Sequence, residues 1–83
     1  QKVFEISFDQ VHENFLRRLH ESYPDLTAKD LRLCAYLRLN LSSKEIAPLL
    51  NISIRGVEIS RYRLRKKLNL PTEMSLFDFL NEI

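Results

Sequence analysis

Residues 42–68 read SSKEIAPLLNISIRGVEISRYRLRKKL, and this stretch decides the fold. Ser42 and Glu45 stand at the spacing of a capping box, so a short helix begins here and runs to Leu50. Asn51-Ile52-Ser53 is a tight turn, in which Asn51 tolerates a positive φ and Ser53 caps the next helix. That second helix is expected from Ile54 to about Asn69, stopping before Pro71. Pro48 disagrees with this pattern. It lies beyond the first turn, removes a backbone donor, and is expected to kink or shorten the first helix.

The second helix divides into two faces. Ile54, Val57, Leu64 and Leu68 fall on one side and are expected to supply the core contact. Arg55, Glu58, Ile59, Tyr62 and Lys66 form one continuous stripe on the other. A short helix, a tight turn and a longer basic helix make a helix-turn-helix, whose first helix braces against a nucleic-acid backbone while the second reads base edges. The stripe has the chemistry for base contacts. Arg55 can donate to guanine, Glu58 can accept from the cytosine amino group, and Ile59 can meet a thymine methyl. Tyr62 offers a ring and a hydroxyl. Arg61, Arg63, Arg65, Lys66 and Lys67 are long cations suited to the phosphate walls. Ser43 and Lys44, at the start of the bracing helix, add backbone amides and a further cation. Five or six such contacts correspond to a log–log salt slope of about −5. Plainer readings stay open: Glu58 can pair with Tyr62 or Arg61 on a solvated helix, and an exposed Ile59 can serve a protein contact.

Outward from this stretch the chain reads as helices. Thr27 opens a helix with Asp30 three residues on, a shortened capping box. Leu31 to Leu39 is apolar on nearly every face, which marks the central buried helix, and Asn40 suits its left-handed stop. Upstream, Asp9 can cap a helix through Ser22, with Phe8, Val11, Phe15 and Leu19 in one stripe, until Tyr23-Pro24 ends it. Val3 to Phe8 alternates like a short strand, or is extended chain tethering an upstream domain. Thr72 or Ser75 caps a last helix in which Leu76, Phe79, Leu80 and Ile83 share a face. The expected fold class is all-α: a four-helix helix-turn-helix domain over 26–83. Residues 1–25 add an extra N-terminal helix and short strand as a connector.

Eighty-three residues suffice for one modest core. The chain is read as a fragment of a longer protein, its last domain, with no signal peptide and no run of ~20 apolar residues for a membrane span. Charge is divided unevenly. Residues 1–30 carry four Lys/Arg against six Asp/Glu, residues 31–71 nine against two, and residues 72–83 none against three. A basic middle between acidic flanks fits a polyanion-binding face or, more plainly, a solvated basic helix. The single cysteine, Cys34, lies in an apolar run and reads as a small buried hydrophobe in a reducing, cytoplasmic compartment. His12 and His20 lack further ligands nearby, so no metal or other cofactor is expected. Neither a nucleophile–base pair nor a phosphate loop is present, which argues against an enzyme with a small-molecule substrate.

Leu26-Thr27, the apolar helix, Leu41-Ser-Ser-Lys-Glu-Ile-Ala47, Ile52-Ser53, Val57-Glu58 and Lys67-Leu68 together resemble the LuxR/GerE (NarL-type) transcription regulators. Leu31-Arg-Leu-Cys-Ala35 and Arg61-Tyr-Arg-Leu-Arg-Lys-Lys-Leu68 are similar to a Bacteroidetes version that ends larger signalling proteins. The resemblance implies a four-helix fold, a third helix in the major groove of double-stranded DNA, and a homodimer often formed through the fourth helix. It also implies a sensor domain upstream, two-component signalling, and contact with RNA polymerase. Carried over by position, it puts base contacts on Glu58, Ile59 and Tyr62, and phosphate contacts on Lys44, Ser53, Arg61 and Lys67. Gly56 replaces the usual Thr, Ser60 the usual His, and Glu58 a commonly basic residue, which puts the operator sequence out of reach. Paired half-sites need a self-complementary surface. Leu76, Phe77, Phe79, Leu80 and Ile83, or the Phe4-Ile6-Phe8 strand, are expected to provide it. The competing expectation is a helix-turn-helix kept for protein contact alone.

Overall fold

The computed structural model describes residues 14–83, and within them the chain is helical without strands. Helix α1 includes residues 14–22; α2 spans Ala28–Arg38, α3 Ser43–Leu50, α4 Ile54–Leu68 and α5 Leu76–Asn81. The expected strand over Val3–Phe8 and the Asp9 cap lie outside the described residues.

Local chemistry fixes both ends of the helices. Thr27, Ser42, Ser53 and Ser75 are N-caps in extended conformation, each accepting from the amide three residues on. Both capping boxes are complete: Asp30 returns the bond to the Thr27 amide at 3.0 Å, and Glu45 to the Ser42 amide at 2.8 Å. Ser75, not Thr72, caps α5. At the other ends Asn40, Asn51 and Asn69 adopt left-handed backbone, with φ of 64°, 58° and 57°. After each asparagine the next amide reaches back five residues: Leu41 to Tyr36, Ile52 to Ala47, and Leu70 to Arg65. These three residues after the asparagines are partly buried against the core, the hydrophobic contact that accompanies such stops.

α3 runs as one helix from Ser43 through Pro48 to Leu50, so the expected shortening does not occur. Pro48 is exposed, and the carbonyl that its missing N–H would have served, that of Lys44, lies one turn back on a residue that is itself exposed to water. The strong cap at one end and the asparagine stop at the other outweigh the lost bond.

The core joins all five helices. Phe15 and Leu19 of α1, Leu33 and Cys34 of α2, Ile46 of α3, Val57 and Leu64 of α4, and Leu80 of α5 are each at most 1% exposed. Each large apolar side chain buried in this way contributes about 1.5–3 kcal/mol. The segment expected to be a connector therefore supplies part of the same core. Arg38 of α2 sits over the Phe15 ring at 4.4 Å, and Tyr23 meets Phe79 edge-on at 6.1 Å. Burial of Cys34 pushes its thiol up to about 12, consistent with a packing role.

Asn51→Ala is expected to cost about 1 kcal/mol in urea unfolding, because alanine lacks the short polar side chain that eases asparagine into left-handed backbone. Asn51→Gly is expected to stay near wild type. Equal losses in both variants would mean that the left-handed stop is not what ends α3.

Candidate nucleic-acid interface

Val57, Leu64 and Leu68 are buried, and they fix how α4 is turned about its axis. Their burial sends Arg55, Glu58, Ile59, Tyr62 and Lys66 outward, all exposed, with Ile59 at 43% and Tyr62 at 60%. The Lys66 ammonium lies 5.0 Å from the Tyr62 ring centroid, so these two side chains share one position on the outward face. Ile54, expected in the core, is instead 45% exposed. It is the first residue of α4, directly after the Ser53 cap. Core contact thus rests on three residues. Among the described residues Glu58 has no ion-pair partner; Arg61 turns elsewhere, and Lys66 covers the Tyr62 ring.

Along one flank Arg61 approaches α3. Its Nη1 donates to Ser43 Oγ at 3.4 Å, which brings Arg61, Ser43 and exposed Lys44 to the positive end of that helix. Ser53 Oγ accepts from the Gly56 amide at 2.9 Å and keeps its own hydroxyl proton free to donate. Gly56 keeps this corner open, since a Cβ there would come within 3.3 Å of Ser53 Oγ and 3.5 Å of Ile52 Cδ1.

Two expected phosphate ligands have other work. Lys67 Nζ pairs with Asp30 Oδ2 at 2.6 Å, tying the end of α4 to the cap of α2. Burial pulls the Asp30 carboxyl up, but the bonds from Lys67 and Thr27 outweigh it and hold its pKa below the ordinary value. Arg65 turns to the connection between α4 and α5, donating to the carbonyls of Met74 and Pro71 at 2.8 Å and of Thr72 at 3.3 Å. Arg63 remains fully outward. Neither arrangement is visible in helical spacing: Asp30 lies 37 residues from Lys67, and loop carbonyls leave no mark in a sequence. The surplus of cations at the end of α4 is the only hint.

The expected dimer surface also divides. Leu76 at 3% and Leu80 at 0% exposure belong to the core of the domain itself, so neither can face a second copy. Phe79 and Ile83 are partly buried against that core, and Phe77 is exposed at 38%. Among the described residues no helix is long and apolar enough to cross a membrane.

Residues 24–80 match the sequence model of the GerE family, described as bacterial regulatory proteins, luxR family. No curated protein and no solved structure matches the chain. The matched span takes in α2, α3 and α4 with most of α5, and it leaves out α1.

Asp30→Ala is expected to lower stability at neutral pH by about 1 kcal/mol, through the lost cap bond and ion pair. The folded carboxyl titrates below the unfolded one, so its charge contributes fully above about pH 4. That contribution fades as pH falls through the lower folded value. Unfolding of wild type and variant measured against pH should show the gap narrowing on acidification. A gap independent of pH would mean that the Asp30 charge contributes nothing.

Proposed function

Since the chain belongs to the LuxR family of bacterial regulatory proteins, a helix-turn-helix DNA-binding family and not an enzyme family, we propose that it places α4 in the major groove of a promoter. The observation that carries this reading is the outward stripe on α4, set opposite its buried side and beside the positive end of α3. Arg55 donates to guanine, Glu58 accepts from a cytosine amino group, Ile59 meets a thymine methyl, and Tyr62 adds ring contact and a hydroxyl. Lys44, Arg61, Arg63 and Lys66 neutralise phosphates, with Ser43 and Ser53 as neutral donors. Lys67 joins them when it leaves Asp30, and Arg65 adds its charge from the loop without a direct bond.

The domain acts in the cytoplasm as a homodimer on paired half-sites, under an upstream sensor domain of the same chain. With Leu76 and Leu80 occupied, self-association falls to Phe77 and the exposed edges of Phe79 and Ile83. A second reading, a module for contact with RNA polymerase or a partner regulator, draws on the exposure of Ile54, Ile59 and Leu49.

Four phosphate-facing cations correspond to a salt slope of about −4 per bound domain in a gel-shift titration. Arg63→Ala should weaken binding to all sequences alike, and Glu58→Ala should relax preference at one base pair. A flat salt response together with tight self-association would favour the second reading. Uniform weakening by both variants would remove Glu58 from the base contacts.

A further inference from the structure

At the C-terminal end of α4 the outward stripe runs into a groove of about 500 Å³, lined by Tyr62, Arg65, Lys66, Asn69, Leu70 and Thr72. A helix C-terminus ordinarily repels anions, because its last carbonyls carry about half a negative charge. Here that field is countered in several ways. The last turn of α4 holds Arg65 and Lys66, besides Lys67, whose charge is paired with Asp30. The amides of Asn69 and Leu70 fold back onto the carbonyls of Lys66 and Arg65. Arg65 donates to the carbonyls of Pro71, Thr72 and Met74, three acceptors of the loop that bounds the groove. Among the described residues no carboxylate lines it. Toward solvent stand several donors: the Lys66 ammonium, the Asn69 side-chain amide and the hydroxyls of Tyr62 and Thr72.

We infer that this groove seats a backbone phosphodiester of the bound duplex at the edge of the half-site. Lys66 supplies the charge, and Asn69 and Thr72 supply neutral hydrogen bonds. The inference rests on the reading of α4 as the major-groove helix, and it carries the footprint beyond α4 into the loop toward α5. Continuity with the Tyr62–Lys66 end of the stripe points to a duplex phosphate and not to a free anion.

The test pairs Asn69→Gly, which keeps left-handed backbone free of strain, with Thr72→Val, which keeps the shape and loses the hydroxyl. The full chain is titrated with a duplex selected from a random pool, both intact and trimmed from each end. The double variant should bind the intact duplex on the order of tenfold more weakly, as two lost hydrogen bonds imply. That loss should be the same for every sequence and leave the salt slope unchanged. On a duplex trimmed of the phosphate, wild type and variant should bind alike. A neutral methylphosphonate at that phosphate should weaken wild type and add little in the variant. Scanning methylphosphonates against wild type alone carries the test should the variant fold poorly: no sensitive position flanking the half-site overturns the inference. Equal binding of wild type and double variant, with Arg55→Ala still harmful, overturns the groove and leaves the reading of α4 standing. Binding indifferent to Arg55→Ala and Glu58→Ala overturns both. Inorganic phosphate that shifts the Asn69 and Thr72 amide resonances, where duplex does not, makes this a free-anion site and also overturns it.

Discussion

The seating of Val57, Leu64 and Leu68 is the constraint on which the rest of the molecule depends. Successive residues of an α-helix differ by about 100° around its axis, so three buried positions leave α4 no choice of rotation. Turning it by one residue would bury Glu58 or an arginine with no partner, a cost of several kcal/mol. The same three side chains that hold the helix to the core therefore decide which ones face outward. Outward display and stability share one geometric cause here.

Around that helix the chain is punctuated at both ends of each segment. Hydroxyl caps open α2, α3, α4 and α5, and left-handed asparagines close α2, α3 and α4. Each asparagine is succeeded by an apolar residue anchored on the core, so every turn is held from two sides. Pro48 is tolerated for this reason: α3 is fixed at its ends and on its buried face, and one missing bond on its exposed face does not break it. α1 and α5 close the far side of the core through Phe15, Leu19, Leu76 and Leu80.

Much of this is legible in residue order. Caps, stops, helix spans and the outward stripe arise from side-chain chemistry acting over three to five residues, which a sequence displays directly. Contacts across the fold are not legible. Ile54 has the right spacing for the core yet is the first residue of its helix and lies 45% exposed. Leu76 and Leu80 read equally well as a dimer face or as core, because periodicity gives an apolar face without naming its partner. Arg65 and Lys67 read as phosphate ligands because both are long cations on a basic helix. Their partners, three loop carbonyls and a distant carboxylate, come into reach only on folding.

The three asparagine stops carry a consequence of their own. Glycine is the usual residue in left-handed backbone, and it leaves the unfolded chain the most freedom to lose. Asparagine reaches the same conformation from a narrower ensemble, and this chain has a single glycine in all, within α4. The joint between α3 and α4 is thus closer to a weld than to a hinge. Helices α3 and α4 approach a partner as one stiff corner, with little backbone order left to be gained on contact. A surface of that kind discriminates by fit already present before the encounter, and poorly matched surfaces meet a shape that does not bend to accommodate them.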